Sequence, residues 1–286
     1  MRIGIGLPNP IPGTPGRLLV RWAGRAEERG FSTLATIDRI AYPSYESLVA
    51  LAAAGAVTER IGLLTNILLA PTRNPVLLAK EAASVDQLSG GRLSLGLAVG
   101  GRRDDFVASE RGFEDRGRRF EQDLELLHGA WRGELVGGCP RPSTPRPVAG
   151  QVPILMGGTA DAVIDRVVRW GAGWTAGGSA PDQVAPFAER VRAAWKDTGR
   201  EGQPRIVALT YFSLGDEVVD DSKAYLLDYY AYLGEWAQGI ADGTPRSPEG
   251  VRTTVSRFEE AGVDELIFDP TVADLEQVDR LADLVL

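Results

Sequence analysis

A (β/α)8 barrel in a single domain spanning residues 1–286 is the fold class this sequence predicts. Three observations lead there. Short apolar runs alternate with longer amphipathic segments from one end of the chain to the other, giving eight strand–helix units. The short runs are apolar at odd and even positions alike, as parallel strands covered by helices on one side and packed against one another on the other must be. The length of 286 residues is close to the roughly 250 that eight such units need.

Taken in order, Arg2–Leu7 reads as the first strand and Arg17–Arg29 as its helix, with Leu18, Leu19, Trp22 and Ala26 on one face and Gly30 past its end. Ser32–Asp38 is a strand and Ser44–Thr58 an Ala/Leu-rich helix, with Ser44 as candidate cap. Ile61–Leu69 precedes the helix Pro75–Leu88, where Pro75 suits a first turn. Arg92–Val99 precedes Arg116–Trp131, and the Gly/Pro-rich stretch Val136–Gly150 is a loop. Val152–Met156 leads to the helix Ala160–Trp170, with Thr159 as candidate cap, and Gly173–Ala176 to Pro181–Thr198. Arg205–Leu214 is followed by helical stretches at Ser222–Ala241 and Pro248–Ala261, and Glu265–Asp269 by Asp274–Leu286. Right-handed repetition of this unit closes a barrel. The rival, an open doubly wound sheet, lacks the Gly-x-Gly-x-x-Gly it would carry after its first strand.

Composition narrows the chemistry. With 31 basic and 39 acidic side chains the net charge is −8, which argues against nucleic acid or an anionic membrane as partner. One cysteine, Cys139, allows no internal disulfide and suggests a reducing compartment. No signal-peptide pattern and no long apolar run are visible, so a cytoplasmic location is the expectation. The single histidine, His128, falls within a helix, far from any strand end. That placement leaves no histidine-based triad and no His/Cys zinc site, and no metal is expected. Lys80, Lys196 and Lys223 also fall in helices, which disfavours a Schiff-base lysine on a strand. A site so poor in acid–base groups suits chemistry carried by a bound cofactor.

Barrel enzymes place function at the C-terminal ends of their strands. Those ends read Leu7-Pro8-Asn9, Ile37-Asp38-Arg39, Thr65-Asn66-Ile67, Ala98-Val99-Gly100-Gly101, Met156-Gly157-Gly158-Thr159, Thr175-Ala176-Gly177-Gly178, Tyr211-Phe212 and Phe268-Asp269-Pro270. The three Gly-Gly pairs permit close backbone approach to a ligand. Gly157-Gly158-Thr159 is followed at once by a helix, whose free N–H groups and positive dipole end suit a phosphate. Tyr42, Tyr45, Phe106, Tyr211, Phe212, Tyr229, Tyr230 and Trp236 are candidate walls of a substrate pocket, and the last three also fit ordinary packing.

Three longer runs carry a family resemblance. The segment from Asn74-Pro75-Val76 through Ser89-Gly90-Gly91-Arg92-Leu93-Ser94-Leu95-Gly96-Leu97 resembles the signature of bacterial luciferase-like flavin-dependent oxidoreductases. So do Arg116-Gly117-Arg118-Arg119-Phe120-Glu121 and Val152-Pro153-Ile154-Leu155-Met156-Gly157-Gly158 with Gly171-Ala172-Gly173-Trp174 downstream. The similarity runs from the first strand to the last. The resemblance implies FMN, or the deazaflavin coenzyme F420, bound in the mouth of a (β/α)8 barrel. It implies a phosphate end at Gly157, Gly158 and Thr159, and a ring across Asp38, Thr65, Asn66 and Gly100, with Ile67 and Gly177 beside it. It also implies a non-proline cis peptide at Asn66–Ile67.

The family often carries Asp-His at the end of the second strand; here the pair is Asp38-Arg39. Arginine stays charged and cannot trade protons at neutral pH. It either holds an anionic group of substrate or cofactor or pairs with a nearby carboxylate. Asp38, Arg39 and Asn66 are the candidate catalytic residues. Arg102 and Arg103, just after the strand-four glycines, read as solvated loop charges or as an anion-attracting rim.

Three functional readings follow. The first is a two-component monooxygenase that takes reduced FMN from a separate reductase and uses oxygen on a small organic substrate. The second is an F420-dependent reductase or dehydrogenase. The third is a non-catalytic flavin-binding protein. The Ala-rich second helix and the resemblance together suggest a homodimer.

Overall fold

The structure is a computed structural model that describes residues 1–143 and 145–286. Eight parallel strands form a closed barrel in chain order: β1 (Arg2–Gly6), β2 (Thr33–Thr36), β3 (Gly62–Leu69), β4 (Leu93–Ala98), β5 (Ile154–Gly157), β6 (Gly173–Thr175), β7 (Arg205–Phe212) and β8 (Glu265–Pro270). Pairing of β1 with β8, Ile5 opposite Phe268, completes the ring. Around it lie α1 (Gly16–Arg29), α2 (Ser47–Gly55), α3 (Pro75–Leu88), α4 (Arg103–Ala108), α5 (Arg116–Arg132), α6 (Asp161–Trp170), α7 (Pro181–Asp197), α8 (Val219–Tyr229), α9 (Trp236–Gly243), α10 (Pro248–Glu260) and α11 (Glu276–Val285). Among the described residues no helix is long and apolar enough to cross a membrane.

The predicted architecture and all eight strands are present, and the differences are local. α3 has the expected bounds because Asn74 caps it, its side chain accepting from the Val76 and Leu77 amides at 3.0 Å each. α2 starts later than expected: Glu46, not Ser44, accepts from the Val49 amide at 2.7 Å, while the Ser44 hydroxyl lies 3.4 Å from the Arg39 and Tyr42 carbonyls. Thr159 does not cap α6; the cap position is Ala160, and no side chain closes that helix end. The helix expected over Ser222–Ala241 is two, α8 and α9, separated by a tight turn at Ala231–Leu233 and by Gly234 at φ 58°, a conformation that breaks a right-handed helix. The charges after the strand-four glycines form α4 rather than a loop, with Asp104 and Asp105 favourably placed in its first turn.

Inside the barrel, Ala35, Leu64, Leu155, Val207 and Ile267 make a small fully buried cluster. The larger core lies between strands and helices and includes Trp22, Trp131 and Trp174. β1 carries glycine where β8 reaches across: a Cβ on Gly4 would lie 2.4 Å from Ile267 Cδ1, and one on Gly6 only 1.8 Å from Asp269 Oδ1. The same face of β8 therefore presents Glu265, Ile267 and Asp269 in successive layers. Glu265 is held by Ser32, Thr33 and Arg205. Burial pushes its carboxyl up, but Arg205 and the two hydroxyls outweigh this and keep it below the usual range.

His128 lies within α5 and is not among the residues lining the barrel mouth. Its ring stacks on Trp170 at 4.9 Å, and Trp131 meets it edge-on at 5.4 Å. Burial, with help from the Arg132 charge, lowers its pKa to about 4 from an ordinary 6.5. Between those values the unfolded chain takes up a proton that the folded one refuses, so stability falls as pH drops from 6.5 toward 4. Screening through the cavity that the ring lines beside Arg132 and Arg169 offsets part of this, leaving about 2 kcal/mol. Urea unfolding at pH 7 and pH 4.5 should show this loss, and His128→Leu should reduce it by that amount; equal losses in both proteins would contradict the assignment.

Candidate functional site

The strand ends surround a cavity of about 220 Å³ at the barrel mouth. Ile37, Asp38 and Arg39 reach it from β2, Asn66, Ile67 and Leu69 from β3, Gly177 and Gly178 from β6, and Leu209 and Tyr211 from β7. Gly101, Arg102, Asp105, Tyr229, Tyr230 and Tyr232 close it from the side.

Its floor is the end of β3. The Asn66–Ile67 peptide is cis, as the resemblance implied, and the register against β4 shifts between Thr65 and Leu68. Asn66 Oδ1 accepts from Thr175 Oγ1 at 2.7 Å, which fixes the amide's orientation. Its Nδ2 is buried and, among the described residues, has no partner. A buried donor left unpaired costs about 1–3 kcal/mol, so this amide is built to meet an acceptor that the chain does not itself provide.

Two ion-pair networks hold the β2 end. Asp38 accepts from the Leu69 amide at 3.0 Å and from Arg73 at 2.8 Å, and Arg73 continues to Glu46 at 3.1 Å. Arg39 Nε meets both oxygens of Asp105, at 3.1 and 2.9 Å, and its Nη2 meets Asp104 at 2.7 Å. Asp105 is fully buried and also accepts from the Ile40 and Ala41 amides, each at 2.8 Å. Of the two readings of Arg39, pairing with nearby carboxylates is the one that the structure contains.

The side wall is aromatic. Arg102 lies 4.4 Å over the Tyr229 ring and 4.2 Å over Tyr232, and donates to the Tyr229 carbonyl at 3.1 Å. It is thus part of the wall rather than a solvated loop charge, whereas exposed Arg103 pairs with Glu114 at 2.8 Å. The Tyr211 and Tyr230 hydroxyls are 2.8 Å apart. Burial pushes both up, Tyr230 to about 12, so both remain neutral donors at ordinary pH. Asp269 is opposite Tyr211 in the β7–β8 register. Burial raises its carboxyl well above the usual range, and among the described residues neither oxygen has a partner.

A family model described as luciferase-like monooxygenase matches residues 1–283. The chain belongs to the luciferase-like monooxygenase family. An uncharacterized protein of Mycobacterium tuberculosis is 31% identical over 207 residues, covering 62% of this chain and 71% of that one. The F420-dependent glucose-6-phosphate dehydrogenase of Nocardia farcinica is 32% identical over 131 residues, 42% of this chain and 39% of its own length. Among solved structures, the monooxygenase RslO1 from Streptomyces bottropensis aligns with a TM-score of 0.82 at 23% identity, over 99% of this chain and 97% of that one.

The luciferase-like signature runs brace the frame around the cavity. Arg92 donates to the carbonyls of Ser89, Ile61, Gly55 and Thr58 at 2.7–2.9 Å, tying the turn before β4 to the end of α2. Arg116 donates to the Gly100 carbonyl at 2.9 Å. Trp174 Nε1 donates to the Gly158 carbonyl at 2.8 Å and so fixes the turn after β5.

Of the residues singled out from sequence, Asp38, Arg39, Asn66, Ile67 and Gly177 line the one mouth cavity. Thr65 and Gly100 do not: the Thr65 hydroxyl is spent on the Gly96 carbonyl at 2.9 Å, and Gly100 packs under Leu69 and Phe106. Gly157 lies beneath Ile67, where a Cβ would be 3.0 Å from Ile67 Cδ1, and Gly158 and Thr159 are exposed on the rim beyond it. Tyr229 and Tyr230, which also fit plain packing, do both, lining the cavity and meeting each other edge-on at 5.0 Å. Phe106 and Phe212 are core residues. Arg102, Asp105 and Asp269 stood at or beside strand ends in the sequence; burial marks the two aspartates, and contact with the tyrosine rings marks Arg102.

Proposed function

We propose that this luciferase-like protein is an oxidoreductase that binds a reduced flavin-type cofactor in the barrel mouth and acts on a small organic substrate, with a two-component FMN-dependent monooxygenase as the first reading. The observation that carries it is the unpaired Asn66 Nδ2 at the cavity floor. The acceptor-rich edge of a flavin or deazaflavin ring fits that donor, and Gly177 and Gly178 leave space beside it. The exposed Gly158-Thr159 turn and the uncapped start of α6 fit the cofactor's phosphate.

Reduced FMN, delivered by a separate reductase, would supply the electrons and activate oxygen. The chain's own contribution is to orient and enclose. Asn66 fixes the ring's edge, the Tyr229–Tyr230 wall excludes water, and the hydrogen-bonded Tyr211–Tyr230 pair, on other elements than the histidine that the family often carries after its second strand, offers the cavity a neutral donor. Arg39, committed to Asp104 and Asp105, holds the wall instead of exchanging protons. The family description supports the oxygen-using reading. The 32% identity to the Nocardia F420-dependent enzyme supports F420 as the second.

Titration with oxidised FMN, reduced FMN and F420, followed by absorbance and fluorescence, tests the proposal. Tightest binding of reduced FMN with oxygen uptake is the expected result. Preference for F420 without oxygen uptake selects the second reading, and no binding of any of them rejects both. Gly158 sits at φ 111°, so Gly158→Val should distort the turn and weaken binding by about tenfold or more. Unchanged affinity would move the phosphate end elsewhere.

A further inference from the structure

A second cavity, about 330 Å³, opens beside the mouth between the β6 and β7 ends and the helices α9 and α10. It shares Gly178, Leu209, Tyr211 and Tyr230 with the mouth cavity, so the two are neighbours across one tyrosine wall. Its volume is in the range of about 300–1,000 Å³ usual for small-molecule sites. Leu209, Ile240 and Phe258 make part of its lining apolar, and Ser179, Thr210 and Thr253 add hydroxyls.

Its charge is one-sided. Among the described residues Arg257 is the one charged side chain in the lining, which includes no carboxylate, in a chain with 39 acidic and 31 basic side chains. Most arginines near the mouth are engaged: Arg39 with two aspartates, Arg73 with Asp38 and Glu46, Arg102 with the tyrosines. The Arg257 guanidinium, among the described residues, has no hydrogen bond or ion pair. Arg257 is exposed, and a free guanidinium in the lining of a partly apolar cavity attracts an anion and offers it paired donors.

We propose that this cavity is the substrate site and that the substrate is an elongated organic anion, a carboxylate or a phosphate ester. Its charged end rests on Arg257, its apolar middle lies along Ile240 and Phe258, and its reacting end passes the Tyr211–Tyr230 wall into the mouth. The assignment rests on the mouth being the cofactor site.

Calorimetric titration of the full chain with 4-phenylbutyrate, its primary amide and phenyl phosphate tests it. The two anions should bind saturably and the amide about tenfold more weakly or worse. Arg257→Gln should erase that discrimination, Arg257→Lys should keep part of it, and FMN and F420 affinities should match wild type in both variants. Equal affinity for acid and amide, or no binding of either anion, overturns the proposal. So does loss of cofactor affinity in Arg257→Gln, which would give this arginine to the cofactor's own phosphate. Anion binding that depends on Arg257 in a chain that holds neither FMN nor F420 would support the anion site and reject the cofactor reading.

Discussion

Asp105→Ala should cost about 3–5 kcal/mol of folding stability, the largest loss expected from any single change at the barrel mouth. Asp105 is fully buried and serves three groups at once: the Arg39 guanidinium and the Ile40 and Ala41 amides. Its removal leaves a cation whose side chain is 7% exposed with Asp104 as its one carboxylate among the described residues, beside a longer bond to the Ala41 carbonyl at 3.3 Å, and leaves two amides unpaired. Asp104 is 55% exposed, and Asp104→Ala should cost less than about 1 kcal/mol. Urea unfolding of the two variants makes the comparison. Equal, small losses would mean that water replaces Asp105 and that the network does not hold the β2 end. Because the freed segment forms one side of the mouth, cofactor affinity should fall with Asp105→Ala and stay unchanged with Asp104→Ala.

Gly6→Ala should destabilise the barrel by about 3 kcal/mol, although a methyl group is the smallest addition possible. The new Cβ would stand 1.8 Å from Asp269 Oδ1 and 3.0 Å from its Cα, inside a filled barrel where the strand cannot retreat. The penalty belongs to the pair, so Asp269→Ala in the same chain should recover at least about 1.5 kcal/mol of it. Additive losses in the double-mutant cycle would refute the contact. Asp269 has a signature of its own. Burial raises its pKa, so the folded protein keeps a proton that the unfolded chain releases above about 3.8. Wild type therefore loses stability from this group as pH rises through that value until the folded carboxyl ionises, and Asp269→Ala should remove that trend.

The barrel was legible because its cause is repetitive. Each strand is a short doubly apolar run, and each helix has a stripe such as Leu19, Trp22, Ala23 and Ala26 in α1. The caps were less legible, since the identity of a good capping residue does not say where its side chain points: Ser44 turned to the Arg39 loop and Glu46 took α2. At the site, residues on the strand ends came together because a closed barrel brings those ends into one ring, which explains Asp38, Asn66 and Gly177. Residues arriving from elsewhere were not legible as a group. Arg102 and Tyr229 meet across 127 positions of sequence, and Asp105 reads as a surface charge until Arg39, 66 positions away, is seen opposite it. Thr65 shows the converse: it is at the right strand end, but its hydroxyl is spent on a neighbouring carbonyl.

The inward face of β8 has a consequence for traffic through the molecule. Glu265 at one end is anchored by Arg205, which helps to hold its carboxyl below the usual range; burial pushes the Asp269 carboxyl up at the other end, where among the described residues it has no partner; and Ile267 with its four apolar companions lies between them. Among the described residues this plug is apolar throughout, which closes the barrel's interior between the two carboxyls. Protons, electrons and ligands have to enter and leave by the rim where the tyrosines stand. Whatever reaction occurs there is insulated from solvent at the opposite face, and its gatekeeping falls to the rim loops alone.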